Sequence, residues 1–263
     1  MKIRVLGCSG GISKGRHTTS YLINDTILVD AGSGVGELSI AEMTRIEHIF
    51  LTHSHHDHVH AIPLLIDSIF DTLTVPIVIH AIAETIEALK NHVFNWVIWP
   101  DFAILPHPDA AVMRFAPFSP EERLHVAGLT IETVPVNHIV PTVAYIIRDA
   151  AGSFAFSGDT TTTDQLWNRL NALPSLDVLF IETAFSNREA LLCAKARHYC
   201  PTTLAEDFAK LQHQQTKVYL THAKPGEEED IRQECDQLIP SRQLNYLRDG
   251  DLIEVCHAPQ PAH

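Results

Sequence analysis

The sequence predicts an α/β protein of mixed (α+β) type, a four-layer αββα sandwich in which two sheets pack face to face with helices outside. Two observations lead there. Each half of the chain begins with closely spaced strands and continues as strand–helix alternation. The cluster His53-Ser54-His55-His56-Asp57-His58 follows directly on the apolar run His48-Ile49-Phe50-Leu51. On an ideal helix His53 and His55 would point roughly 200° apart, and on a strand Asp57 and His58 would face opposite sides. The local structure that lets all four ligands converge is a strand that ends in a tight turn and enters a helix.

Taken in order, residues 2–7 read as a buried strand and Ser9-Gly10-Gly11-Ile12-Ser13-Lys14-Gly15 as a turn. Strands over 20–23 and 26–29, joined by Asn24-Asp25 and closed by Asp30-Ala31-Gly32, complete a β-meander. A polar helix over 37–45 leads to the strand before the cluster. From His60 to Phe70 the apolar residues fall at helical spacing, with Pro63 in the first turns. A strand over 75–80, an amphipathic helix over 84–93 and an aromatic-rich connection from Trp96 to Phe102 come next. In the second half, strands are predicted over 112–115, 124–126, 129–136, 142–148 and 153–156. Helices over 163–173, 202–211 and 227–238 then interleave with strands over 178–181 and 218–220. Nothing divides the 263 residues, so they read as one domain over 1–263.

Hydrophobic residues make up 45% and charged residues 19%, which supports a packed core and argues against disorder. The amino terminus starts a strand and lacks a signal-peptide pattern, and no stretch reaches the roughly 20 apolar residues of a membrane helix. The five cysteines, Cys8, Cys193, Cys200, Cys235 and Cys256, are odd in number and without CxxC spacing, so no disulfide framework is indicated. A cytoplasmic protein without a membrane partner is expected. The formal charge of −13, from 19 Lys and Arg against 32 Asp and Glu, argues against a nucleic-acid polymer as partner, because such binding rests on neutralising phosphates. A small anion stays compatible, since metal ions supply a local positive field. A homodimer is compatible with the architecture.

If the cluster holds metal, further ligands belong at the ends of other strands. His138, Asp159 and His222 each follow a predicted strand, and Gly158 lets the backbone approach closely beside Asp159. Two sites then close: His53, His55 and His138 around one ion, Asp57, His58 and His222 around the other, with Asp159 bridging. Imidazole-rich ligation suits two zinc ions, and the carboxylates also accept manganese or iron.

The motifs His53-x-His55-x-Asp57-His58, His138, Ser157-Gly158-Asp159 and Leu220-Thr221-His222 resemble those of the metallo-β-lactamase superfamily, which implies the αββα fold. Asp159 is similar to the bridging aspartate of the phosphodiesterase branch. Asp30 in Val29-Asp30-Ala31-Gly32 is similar to the family's buried aspartate, which steadies the metal-binding turn; a turn-capping aspartate fits the same residues. A narrower resemblance is to the class II cyclic-nucleotide phosphodiesterases. It rests on Leu6-Gly7-Cys8-Ser9-Gly10-Gly11, Thr19-Ser20-Tyr21-Leu22-Ile23, the segment from Glu84 to Phe102, Ile181-Glu182-Thr183-Ala184-Phe185 and His198-Tyr199-Cys200-Pro201. One departure is His56, where that family carries leucine.

The resemblance implies hydrolysis of 3′,5′-cyclic AMP, with cyclic GMP as a further substrate, to the nucleoside 5′-monophosphate by a hydroxide shared between the metals. Asp57 and His198 are the expected catalytic residues, His198 as general acid or phosphate donor, since histidine transfers protons near neutral pH. Asn95, Trp99 and Phe185 are candidate contacts to the base, by hydrogen bonding and stacking. Alternatives are a ribonuclease Z-like tRNA 3′-endonuclease, which uses a similar ligand set, and a cyclic-nucleotide sensor that binds metal without turnover. Lactone or β-lactam hydrolysis has no support beyond the shared ligands.

Overall fold

Short apolar strands and amphipathic helices assemble into two mixed seven-stranded sheets among the residues that the computed structural model describes, 1–257. The first sheet draws on β1 (Lys2–Gly7), β2 (Ser20–Ile23), β3 (Ile27–Val29), β4 (His48–Phe50), β5 (Ile77–Ile82) and β6 (Met113–Phe118). The second is built from β7 (Arg123–Val126), β8 (Leu129–Val136), β9 (Thr142–Arg148), β10 (Ser153–Phe156), β11 (Val178–Glu182), β12 (Lys217–Thr221) and β13 (Leu244–Tyr246). Strand β14 (Leu252–Glu254) closes the first, giving the orders β14-β1-β2-β3-β4-β5-β6 and β13-β12-β11-β10-β9-β8-β7. Among the described residues eight α-helices lie between them in sequence: α1 (Ile40–Met43), α2 (His56–Val59), α3 (Ala61–Ile69), α4 (Ala83–His92), α5 (Asp164–Asn171), α6 (Ala190–Ala196), α7 (Pro201–Phe208) and α8 (Glu228–Leu238). The chain forms two compact units, one of residues Ile3–Ser119 with Arg248–Leu252, the other of Met1–Lys2, Pro120–Leu247 and the segment from Ile253.

Strand direction sets up the chemistry. Strands β3, β4 and β5 run parallel, so the chain leaves β3 and β4 at the same edge of their sheet. In the other sheet β10, β11 and β12 run parallel, and β8 shares their direction because it is antiparallel to β9, which is antiparallel to β10. Four strand ends therefore deliver residues to one edge. The strands β5, β10 and β11 are buried along their whole length, as expected of strands covered on both faces. On one face Ile49, Ile77 and Ile79 pack beneath Ile62, Leu65 and Ile66 of α3 and Leu89 of α4. In the other unit Leu179, Ile181, Val218 and Leu220 pack beneath Leu166 and Trp167 of α5, Leu204 and Phe208 of α7 and Ile231 of α8.

Several predicted boundaries shift for identifiable reasons. The helix read over 60–70 begins at Ala61, separated from α2, because the Ala61 amide donates to the Ala31 carbonyl (3.0 Å) and not into the α2 ladder. The helix read over 37–45 shortens to α1, whose start is fixed by a capping box between Ser39 and Glu42. Strands β13 and β14 and helix α6 are additions to the predicted set. The two strands are only three residues each, and α6 leaves Leu191 and Leu192 exposed, so none carries the periodic apolar pattern that reveals an element. Among the described residues no helix is long and apolar enough to cross a membrane.

One buried polar node ties α5 to α7. The Asp207 carboxylate accepts from the Tyr199 hydroxyl (2.6 Å), the Trp167 indole (3.1 Å) and the Thr163 amide (3.1 Å), and Lys210 pairs with its other oxygen (2.7 Å). Burial raises its pKa, but the Lys210 and Tyr199 hydrogen bonds outweigh that and hold it below the usual aspartate value. Replacing Asp207 by Ala removes the acceptor shared by three buried donors and should cost about 3 kcal/mol in urea unfolding at pH 7. Because the folded pKa is depressed, this difference should be complete above the unfolded aspartate value of about 3.9 and should shrink as pH falls through the folded value.

Candidate metal centre

The predicted strand–turn–helix is present: β4 ends at Phe50, the chain turns through Thr52 and His53, and His55 precedes α2. What shapes the turn is Asp30, which follows β3 with left-handed backbone (φ 57°) and is wholly buried. Its Oδ1 accepts the Thr52 amide (2.8 Å), while Oδ2 accepts the Thr52 hydroxyl (2.8 Å) and His58 Nδ1 (2.7 Å). The Thr52 hydroxyl, having given its hydrogen to Asp30, accepts from His53 Nδ1 at 2.9 Å. Both rings thus carry their proton on Nδ1 and keep the Nε2 lone pair for a ligand bond. Close approach fixes the backbone as well: a Cβ on Gly32 would lie 2.5 Å from the Asp57 carbonyl oxygen and 2.4 Å from the Thr18 hydroxyl. The His53 ring centroid lies 4.6 Å from that of His55 and 4.3 Å from that of His58, and His58 Nε2 is 3.9 Å from Asp57 Oδ2. His56 points to solvent beside His60.

The other unit brings His138, Asp159 and His222 from the ends of β8, β10 and β12. Asp159 Oδ2 lies 3.2 Å from His222 Nε2 and 4.0 Å from His138 Nε2, so one carboxylate faces two imidazole nitrogens. His138 gives its Nδ1 hydrogen to the Arg197 carbonyl (3.0 Å), and the Arg197 guanidinium returns a bond to the His138 carbonyl (2.9 Å). His222 takes a left-handed backbone (φ 65°) to turn back at the strand end.

His198 stands beside this group, its ring centroid 5.0 Å from that of His138 and 5.5 Å from that of His222, stacked on the latter at 24°. Ligand-type atoms of Asp159, His198 and His222 lie within 4.8 Å of one another. A residue with no assigned role in the sequence reading holds His198 in place. Glu182, fully buried at the end of β11, accepts from His198 Nδ1 (2.7 Å), the Thr160 amide (2.9 Å) and the Tyr199 amide (3.3 Å). Burial pulls the His198 pKa down, yet the charge and hydrogen bond of Glu182, with Asp159 beyond, leave it raised. The ring of Phe185 sits 5.8 Å from His198.

The remaining candidates have local work. Asn95 accepts the amides of Val97 and Ile98 through Oδ1 (3.0 and 2.9 Å), making a turn, and Trp99 packs against the core of its unit. Both follow α4, which starts at the Ile82 end of β5 and runs back along the sheet, so they lie away from the edge where Phe50 leads into the ligand turn.

A donor set of buried and half-buried imidazoles and carboxylates, with the far ring nitrogens of His53, His58 and His138 already hydrogen-bonded, is compatible with divalent metal ions. A β-lactamase superfamily domain model matches residues 25–223, three-quarters of the sequence. The chain belongs to the metallo-β-lactamase superfamily. Its structure aligns over 96% of this chain with the metallo-β-lactamase fold protein YhfI of Bacillus subtilis, at a TM-score of 0.78, 21% identity and 99% coverage of that chain, which shows the αββα fold. Among curated proteins, it is 28% identical to a probable 3′,5′-cyclic-nucleotide phosphodiesterase of Yersinia pestis, covering 88% of this chain and 81% of that one. It is also 24% identical to a ribonuclease Z of Azobacteroides pseudotrichonymphae genomovar. CFP2, covering 91% and 94%. The superfamily and its hydrolase chemistry are thus shared with relatives that act on different substrates.

Asp30→Ala removes the acceptor that fixes His58 and, through Thr52, His53. Metal affinity, measured by competition with a chromophoric chelator, should fall roughly 10–100-fold, whereas Asp67→Ala on the exposed side of α3 should leave it unchanged.

Proposed function

We propose that this protein is a binuclear metallohydrolase that opens the phosphodiester ring of 3′,5′-cyclic nucleotides to give nucleoside 5′-monophosphates. His53, His55 and His138 would hold one divalent ion and Asp57, His58 and His222 a second, with Asp159 available to both sets. The observation that carries this reading is His198, hydrogen-bonded to Glu182 and set beside the carboxylate that two other histidines approach. Two bound ions, zinc first and manganese or iron next, supply a nucleophile from water at neutral pH and neutralise charge on the phosphoryl oxygens.

The residues account for the rest of the reaction. Glu182 holds the Nδ1 hydrogen of His198 and so turns Nε2 toward the substrate. His198 then protonates the ribose 3′-oxygen as its bond to phosphorus breaks, in line with the incoming oxygen. Asp57 orients that incoming oxygen from the ligand turn. Phe185, beside His198, offers an aromatic face to the base of the leaving nucleoside. Similarity to a probable 3′,5′-cyclic-nucleotide phosphodiesterase over 88% of the chain supports the substrate class, and the net charge of −13 favours a small anion over a polyanion.

A second reading, tRNA 3′-end cleavage, is favoured by the ribonuclease Z similarity over 91% of the chain. Parallel assays on cyclic AMP and on a precursor tRNA separate the two. Release of AMP, abolished by chelator, supports the first; cleavage of the tRNA with cyclic AMP untouched overturns it. Within the first reading, His198→Ala should lower cyclic AMP turnover by about 10²–10⁴-fold while metal content stays at the wild-type level. Turnover of bis(4-nitrophenyl) phosphate, whose leaving group departs without a proton, should fall far less.

A further inference from the structure

Away from the metal centre, three guanidiniums gather on a single carboxylate. Glu132 in β8 is buried, and its oxygens face both Nε and Nη2 of Arg169 in α5 (2.7 Å for Nη2), Arg123 of β7 (3.3 Å) and Arg148 of β9 (3.9 Å). Register explains the gathering. Arg123 pairs with Glu132, His125 with Thr130, and Thr130 with Arg148, so alternate residues of three neighbouring strands stand on one face of the sheet. Burial raises the Glu132 pKa, but the hydrogen bonds of Arg169 and Arg123 outweigh that and hold it below the ordinary glutamate value. One negative charge therefore meets three positive ones, in a chain whose formal charge is −13.

Arg169 meets both oxygens of Glu132, which leaves Arg123 and Arg148 to line a cavity of about 500 Å³ together with His125, Thr130, Ser175 and His257. The Nε of Arg148 is buried and has no hydrogen-bond partner among the described residues. The acidic groups nearby have donors of their own. Asp149 holds the amides of Ala151 and Gly152 (2.8 and 2.9 Å) and faces the Met1 ammonium at 3.2 Å. Asp177 holds the Ser153 amide and hydroxyl (both 2.8 Å) and faces His257 Nδ1 at 3.2 Å. The cavity lies at the opposite edge of the sheet from the ligand residues. Arg148 closes β9, beside Thr130 near the start of β8 and Ser153 at the start of β10, whereas His138 and Asp159 follow the ends of β8 and β10. From Thr130 to His138 the path along the chain is roughly 26 Å, at about 3.3 Å per residue.

We propose that this cavity is a second anion site, which binds inorganic phosphate or the phosphate of a small monoester through Arg123 and Arg148. A phosphate monoester carries about −1.5 to −2 charges at neutral pH, which matches the two guanidinium charges that Glu132 leaves uncompensated. Guanidinium forks reaching in from two strands suit the spread oxygens of a tetrahedral anion, whereas a planar carboxylate satisfies one fork. The Thr130 hydroxyl and the His125 ring, 3.2 Å apart, are further groups able to turn a hydrogen toward it. A bound phosphate joins β7 to β9 across β8 and stabilises the folded chain by mass action. It touches neither set of metal-ligating residues, so the site stands whether or not the protein hydrolyses cyclic nucleotides.

The test is equilibrium dialysis of radiolabelled inorganic phosphate against the metal-loaded protein, repeated after the metal has been stripped with chelator. One equivalent per chain should stay bound without metal, because phosphate held by the ions is lost with them. The double variant Arg123→Gln/Arg148→Gln should bind this equivalent at least about tenfold more weakly. Arg148→Lys, which keeps the charge and loses the fork, should weaken it by a smaller factor. Arg188→Gln, in an exposed ion pair with Asp230, should leave it unchanged. Arg169 still pairs with Glu132 in all of these variants, so each should fold, and phosphate should raise the melting temperature of the wild type but not of the double variant. Unlabelled ribose 5-phosphate that displaces the label identifies a monoester as the occupant, and its failure to do so identifies the free ion; both results support the site. The absence of a metal-independent equivalent overturns the proposal, as does one that the double variant keeps at full affinity or that chloride at equal concentration removes.

Discussion

The candidate metal centre depends on one buried carboxylate. Asp30 is inaccessible to solvent, and a charge in that position is tolerable only because the Thr52 amide, the Thr52 hydroxyl and His58 Nδ1 all donate to it. Those same bonds decide which nitrogen of His58, and through Thr52 which nitrogen of His53, remains available. Stability and chemistry are coupled at this point: the group that anchors the turn after β4 also sets the ligand tautomers. Gly32 completes the constraint, since any side chain there would collide with the Asp57 carbonyl.

In the other unit the organising constraint is strand direction. Because β8, β10, β11 and β12 point the same way, His138, Asp159, Glu182 and His222 arrive at one edge although more than 80 residues separate the first from the last. Ligands gathered at the carboxyl ends of parallel strands are a general outcome of α/β architecture. Here it also places His198, through Glu182, next to the carboxylate that faces two imidazoles. His198 stacks on His222, which faces Asp159, and is itself hydrogen-bonded to Glu182.

How much of this is legible in the sequence follows from the range of the interactions. The cluster from His53 to His58 is readable because its ligands sit within six residues and force a strand–turn–helix. His138, Asp159 and His222 are readable because each closes an apolar strand. Glu182 closes one as well, but its partner His198 lies 16 residues on, and nothing in Val178-Leu179-Phe180-Ile181-Glu182 marks the terminal carboxylate as functional. Asn95 and Trp99 show the converse: an amide and an aromatic that suit a nucleobase equally suit a turn and a core, and the sequence does not reveal side-chain direction. The break before α3 is hidden for a similar reason, since it depends on a bond from Ala61 back to Ala31.

The central claim, a two-ion centre acting on a cyclic phosphodiester, is tested most directly by titrating metal-free protein with zinc while following AMP release from cyclic AMP. Turnover should stay near background through the first equivalent and rise with the second, reaching a plateau at two ions per chain. Full turnover at one equivalent, or two tightly bound ions with no AMP formed, would contradict it.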